Sequence, residues 1–281
     1  MKPAAFDYQR IQSVEQACQA LARAGEDARI LAGGQSLVTV LNMRLSQPAL
    51  VLDISRCEEL RFLQVEKNQL RIGAAVTQAQ LHAWPTLAQD APLLAQALPF
   101  ISHFQIRNRG TVAGSIAHAD PSAELPLCLA ALGGEVVLQS AKGRRVLVAA
   151  DFQQGMLTTA RRPDELVTEV RFPLARPGHA YVFDEFSLRR GDFAIVACAV
   201  DLHDAGLRLG IGGVADRPVV ADWPRLDEPA LRERINDLAW SLQAQDDQHA
   251  SAVYRRHLVR HMAWNAIQRA GQALDSQRKP S

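Results

Sequence analysis

Three stretches of this chain gather residue types that bind rather than bury. The first is Ala32-Gly33-Gly34-Gln35-Ser36-Leu37. An apolar run, Arg29 to Ala32, leads into two glycines and then into a helix start. Glycines let backbone N–H groups converge without side-chain obstruction, and a helix start adds unpaired donors, so the pattern suits an anion such as a pyrophosphate. A plain strand-to-helix turn fits it as well. The G-x-G-x-x-G spacing of a dinucleotide fingerprint is missing, and no Lys-Ser/Thr pair follows to make a P-loop. The second stretch runs from Ile106 to Pro126, IRNRGTVAGSIAHADPSAELP. Gly110 and Gly114 permit close backbone approach. Thr111 and Ser115 offer hydroxyls, while Asp120 and Glu124 are acceptors suited to ribityl or ribose hydroxyls. A solvated loop capped by Ser122 is the alternative. The third, Leu188-Arg189-Arg190-Gly191-Asp192-Phe193-Ala194, taken alone is a turn at a strand end.

None of the three is a hydrolase site. Ser115, His118 and Asp120 stand close together, but no G-x-S-x-G elbow surrounds them. No catalytic residue and no metal ligand is expected. Cys18, Cys57, Cys128 and Cys198 are scattered, and none forms the close spacing that iron–sulfur or zinc sites use. They read as buried reduced thiols, so any redox centre must be an organic cofactor or lie on another chain.

The elements that must position these stretches divide into three parts. Phe6 to Arg10 begins a β-α-β unit. Ser13 with Gln16 makes a capping box for a helix to Ala24, and Gly25 stops it. Strands follow at Arg29 to Ala32 and Leu50 to Ile54, with a short helix, Leu37 to Leu45, between them. A hairpin spans Leu60 to Ala75 around Lys67-Asn68. Thr77 and Gln80 cap a further helix, Ala91 to Leu98 is helical, and Phe100 to Ser115 reads as a loop. Ala123 to Leu132 is an apolar helix, and Glu135 to Val148 a hairpin around Lys142-Gly143. Four apolar β-branched runs follow: Leu166–Phe172, Tyr181–Leu188, Ala194–Leu202 and Leu207–Val214. Two helices close the chain, Glu228 to Gln243 and Ala250 to Ala270. In the last, Tyr254, Leu258, His261, Met262 and Asn265 share a face, and Gln272 to Ser281 is expected to fray.

Composition sets the outer limits. The chain has 281 residues, 48% hydrophobic, and a net charge of +1. That is enough for two or three compact subdomains. There is no basic run interleaved with aromatics, so no nucleic-acid partner is expected. Apolar stretches break off well short of the ~20 residues of a membrane span, and Met1 to Arg10 lacks a signal-peptide pattern. The reading is a cytoplasmic protein.

In order and spacing, AGGQSL, RNRGTVAGSIAHADPSAELP and RRGDFAIVA resemble the FAD-binding medium subunit of the xanthine dehydrogenase and aerobic carbon monoxide dehydrogenase family of molybdenum hydroxylases. The resemblance covers nearly the whole chain. It implies an α+β fold of the vanillyl-alcohol-oxidase (PCMH) type: FAD-binding subdomains at 1–57 and 58–175, then a smaller C-terminal α/β domain at 176–281. It implies a non-covalent FAD with its pyrophosphate between the glycine loops. Ala32, Gly33, Gly34, Gln35, Ser36 and Leu37 would form one wall, and Thr111, Gly114, Ser115, His118, Asp120 and Glu124 much of the other. Ile101 and Val167 match positions near the isoalloxazine ring, and Arg190 and Asp192 belong to the third motif. Many relatives have Gly-Gly at Ala113-Gly114 and Asp or Asn at Ser115. His82, His103 and His118 could in principle anchor a flavin covalently, but the family pattern gives no support for it.

By the same resemblance the chain is an oxidoreductase subunit. Substrate is hydroxylated at a molybdopterin cofactor on a large partner. Two [2Fe-2S] clusters on a small partner pass electrons to FAD here, and an external acceptor receives them. A dimer of heterotrimers is implied. Substrate and acceptor are not encoded in this chain. The rival readings are a free-standing FAD oxidase or reductase of the same fold, and a scaffold that has lost its flavin.

Overall fold

The computed structural model describes residues 2–278. The expected β-α-β unit consists of β1 (Asp7–Arg10), α1 (Val14–Ala24), β2 (Ala28–Leu31), α2 (Leu37–Asn42) and β3 (Leu50–Asp53). Its strands form a parallel sheet in the order β1-β3-β2. Ser13 Oγ accepts from Gln16 N at 3.1 Å, while the Gln16 side chain accepts from Gln12 N at 2.7 Å, one residue before the cap. Gly25 ends the helix at φ +54°.

The middle of the chain builds a second sheet. It contains β4 (Leu63–Glu66), β5 (Gln69–Gly73), α3 (Gln78–His82), α4 (Leu87–Asp90), α5 (Pro92–Ala97), α6 (Phe104–Arg107), α7 (Val112–His118) and α8 (Glu124–Leu132). Then come β6 (Glu135–Ser140), β7 (Gly143–Val148), α9 (Ala149–Phe152), β8 (Gln153–Gly155), β9 (Thr158–Thr159) and β10 (Leu166–Pro173). The sheet order is β4-β5-β10-β6-β7, antiparallel throughout, with β8 and β9 a separate ribbon. Lys67 and Asn68 both take left-handed φ, +52° and +61°, as a two-residue hairpin of this twist requires. Thr77 and Gln80 form a reciprocal capping box.

One expectation is overturned here. Residues 100–115 are not a loop, because α6 and the first half of α7 lie within them. Thr111 caps α7 by accepting from Gly114 N at 3.0 Å, and Val112, Ala113 and Ile116 bury its inner face. The glycines that suggested a loop sit at the cap and in the first turn, where capping outweighs their low helix propensity. Ala113 is therefore a helix residue packed in the core.

The last part is β11 (His179–Phe186), β12 (Val196–His203), β13 (Gly206–Gly212), β14 (Val219–Pro224), α10 (Glu228–Ser241) and α11 (Ala252–Arg278). The strands form an antiparallel meander. β14 was not foreseen: it is an edge strand whose Val-Val-Ala-Asp-Trp pattern is short and interrupted by charge. Both faces of β12 are buried, which explains its unbroken apolar run. Val196, Cys198, Val200 and Leu202 pack with α10 and α11, while Ala197 and Ala199 face the main core.

The final helix departs from expectation twice. It continues through Arg278, held by the buried Leu274, so the stretch from Gln272 to Arg278 is not frayed, and Lys279 to Ser281 lie outside the described residues. Of the expected face, only Leu258 and Met262 are buried, while Tyr254 and His261 are exposed. The true stripe also uses Val259, Ala263, Ala266 and Ala270, whose small side chains bring the helix close to the sheet. No described helix is long and apolar enough to cross a membrane.

Candidate functional site

The loop between β2 and α2 faces the segment joining α6 to α7. The two backbones touch: a Cβ on Gly33 would lie 2.2 Å from the Arg109 carbonyl oxygen and 2.7 Å from Gly110 Cα. Only glycine fits there. Gly34 takes φ +75°, and Gln35 Nε2 folds back to the Gly33 carbonyl at 2.9 Å. The backbone N–H groups of Gln35, Ser36 and Leu37 meet no acceptor among the described residues, so they stand ready for an anion. Ala32 closes on Gly114 from the other side.

Beyond this contact, α7 carries Ser115 and His118 along the cleft. Ala119 ends the helix in a left-handed conformation, φ +54°. That reversal turns the chain so that Asp120, which accepts from Ser122 N at 2.9 Å, and Glu124, the first residue of α8, face the same space. Glu124 is 7% exposed. Burial drives its carboxyl up to about 7; its own backbone N–H opposes this, Asp120 adds to it and Arg107 counters it.

The third motif arrives from the C-terminal sheet. Gly191, at φ +91°, lies against the Ser102 backbone, where a Cβ would come within 3.0 Å of its carbonyl oxygen. This holds the β11–β12 loop over Ile101 and Ser102. Asp192 and Phe193 enter the cleft, while the exposed Arg190 does not line it.

The result is one large cleft of about 1670 Å³ between the first two sheets, closed in part by the third. Every residue that the resemblance assigned to the flavin lines it except Arg190, Ile101 and Val167 included. Of the histidines weighed as anchors, His118 lines the cleft; His82 and His103 do not.

Sequence reasoning missed three groups. Arg29 and Arg161 both line the cleft, and neither pairs with a carboxylate among the described residues. Arg161 spends one guanidinium nitrogen on carbonyl oxygens, at 2.7 Å from Glu165 O; burial and then Arg29 lower its pKa. The third is Gln78, which lines the cleft and whose buried Oε1 has no hydrogen-bond partner among the described residues. Only Gln78, beside the capping box, carried a sequence signal; Arg161-Arg162-Pro163 reads as an ordinary loop.

This donor set fits FAD: free backbone N–H groups and two unpaired cations for a pyrophosphate, carboxylates for hydroxyls, and an orphaned amide oxygen waiting for a donor. Among the described residues no cluster of three His, Cys, Asp or Glu could hold a metal, and the four cysteines are buried and free.

Residues 4–175 match the family described as the FAD binding domain in molybdopterin dehydrogenase. The chain is 38% identical over 283 residues to the 6-hydroxypseudooxynicotine dehydrogenase complex subunit alpha of Paenarthrobacter nicotinovorans, covering 96% of each. It is 34% identical to the carbon monoxide dehydrogenase medium chain of Afipia carboxidovorans, covering 96% of this chain and 98% of that one. Its fold superposes on a chain of quinoline 2-oxidoreductase from Pseudomonas putida 86 with a TM-score of 0.90, at 32% identity, covering 98% and 99% of the two. The chain belongs to the FAD-binding medium-subunit family of the molybdenum hydroxylases.

Proposed function

We propose that the cleft holds FAD non-covalently, and that this chain relays electrons within a cytoplasmic complex assembled with a large molybdopterin-binding subunit and a small [2Fe-2S] subunit, as a dimer of heterotrimers. The observation that carries the site is the convergence of both glycine loops, Arg29 and Arg161 on a single cleft. Bound there, FAD would supply the redox chemistry that links the partner clusters to an external acceptor; the protein supplies binding, orientation and electrostatics.

The lining of the cleft supports the following roles for the chain's own residues. Gly33, Gly34, Gln35, Ser36 and Leu37 offer backbone donors to the pyrophosphate, with Arg29 and Arg161 balancing its charge. Thr111, Ser115, His118, Asp120 and Glu124 face the hydroxyl-bearing part. Ile101 and Val167 supply an apolar wall for the ring. Asp192, brought over by the Gly191–Ser102 contact, closes the cleft, and Arg190 is left on the outside. Three sheets support the division at 1–57, 58–175 and 176–281, and the two relatives matched over nearly their whole length are named as a complex subunit and a medium chain, which favours a relay subunit over a free-standing oxidase. Buried free thiols suit a reducing compartment.

The test is the visible spectrum of the complex purified with its partners, before and after acid precipitation. Flavin bands released into the supernatant, with iron and molybdenum in the complex, are expected. A flavin retained in the pellet overturns non-covalent binding, and a folded complex with no flavin overturns the relay.

A further inference from the structure

Two buried acidic side chains lie on the two layers that pack together here, Glu124 on α8 and Glu185 on the third sheet. Glu124 opens that helix, with Cys128 one turn along the same face. Glu185, on β11, stands two residues beyond Phe183, so both point from the sheet toward the helices; Phe183 packs there against Phe100, ring centroids 5.5 Å apart. Glu124 lines the cleft and Glu185 lies behind it. Neither carboxyl oxygen of Glu185 meets a hydrogen-bond partner, and both are buried.

Among the described residues no cation pairs with Glu185. Asp184, the neighbour of Glu185, bonds to Arg269 at 2.9 Å. Across the strand pair, Glu185 faces only Ala197. Arg107 is the one cation acting on Glu124, and its guanidinium donates to the carbonyls of Ile101 and Ser102. Asp120 adds a further negative charge beside Glu124. An isolated buried carboxylate is strongly disfavoured, and the charge of Glu124 adds to the cost, hence a proton stays on Glu185. Burial first, then Glu124, then Asp184 raise the Glu185 carboxyl, and the fully buried Cys128 thiol is raised by burial and then by both acids.

We propose that Glu185 is a positioning residue that carries the proton of this buried pair, leaving Glu124 as the hydrogen-bond acceptor toward the flavin hydroxyls, a reading that rests on the cleft being the FAD site. A neutral Glu185 removes repulsion from behind Glu124 without contacting the cofactor. The geometry separates the two: Glu185 has both oxygens sealed and unpartnered, while Glu124 lines the cleft.

The test is infrared titration of the assembled complex, combined with FAD retention. The native complex is expected to show a protonated-carboxyl stretch at neutral pH that disappears as the pH passes about 8. Glu185→Gln should lack it, Asp184→Asn should keep it, and Glu124→Gln should move its loss to lower pH by removing a neighbouring charge. FAD affinity of the native complex should fall about tenfold over the same alkaline range, the size of one pKa unit of coupling, while Glu185→Gln holds FAD unchanged. A stretch that persists in Glu185→Gln, or a midpoint indifferent to Glu124→Gln, overturns the proposal; the second variant serves if the first does not assemble. If the stretch follows Glu185 while FAD retention ignores both Glu124→Gln and Gly33→Ala, the pair stands and the placement of FAD falls.

Discussion

At the scale of single residues, the site depends on atoms that are missing as much as on those present. Gly33 lets two backbones meet, and a methyl group there would overlap the Arg109 carbonyl. Overpacking against rigid backbone costs about 1–3 kcal/mol. Gly33→Ala is thus expected to lower both the FAD content of the purified complex and its melting temperature. Gly271 is the contrast: a Cβ there meets nothing within 4 Å, so Gly271→Ala in the middle of α11 should stabilise by roughly 0.5–1 kcal/mol. Comparing the two by calorimetry separates the close contact from any general effect of replacing glycine. Arg161 provides the electrostatic counterpart. A charge-assisted hydrogen bond contributes about 1.5–3 kcal/mol, so Arg161→Ala should weaken FAD binding about 10- to 100-fold, read by titrating deflavo complex with FAD; unchanged affinity would remove Arg161 from the site.

At the scale of elements, β10 is the strand on which the second sheet turns, and Glu169 is its buried anchor. The carboxylate accepts from Arg71, at 2.5 Å on one oxygen and 3.0 Å on the other, from Arg171 at 2.7 Å and from Arg144 at 2.8 Å, with 3% of its side chain exposed. Glu169→Gln leaves three arginines around a neutral amide, and breaking a buried pair in this way costs about 3–5 kcal/mol. Burial alone would raise the Glu169 pKa, but bonds from Arg71 and then Arg171 outweigh it and lower the value. A depressed folded pKa gives stability that is present above the ordinary carboxylate range and lost as pH falls through the folded value. The stability gap between native protein and Glu169→Gln in urea melts should therefore be widest at neutral pH and shrink in acid. This cluster also shows where sequence reading stops. Hairpins, caps and the core strands were legible because their signals are local: Lys67-Asn68, Thr77 with Gln80, the unbroken run in β12. Arg71 and Glu169 are 98 residues apart, and nothing local announces their meeting. Likewise the motif residues were legible by family pattern, whereas Arg29 and Arg161 are drawn into the cleft by the fold alone. Helix α7 was hidden because its glycines mimic a loop.

At the scale of the whole molecule, the boundary near residue 175 is one of chain and family pattern, not of core. Phe183, Ala194, Ala197 and Ala199 belong to the same buried cluster as the first two sheets. The third sheet lies on α8 through a surface of small residues: a Cβ on Gly210 would sit 3.0 Å from Leu127 Cδ1 and 3.1 Å from Ala131 Cβ, and one on Gly212 3.2 Å from Leu127 Cδ2. Fully apolar α8, from Leu125 to Leu129, has solvent on neither side. Cutting the chain after residue 175 strips this cover from Leu127 and Ala131, removes the Gly191–Ser102 contact that closes the cleft, and uncovers Glu124. Exposed apolar surface of this kind drives association. The fragment 1–175 is expected to bind FAD more weakly than the full chain and to aggregate on purification, and adding the separately expressed 176–281 piece should restore FAD retention in proportion to the complex formed. A monomeric fragment that retains FAD like the whole chain would mean that the C-terminal sheet serves another purpose, since neither its lid over Ile101 nor its contact with α8 would then be needed to keep the cofactor in place.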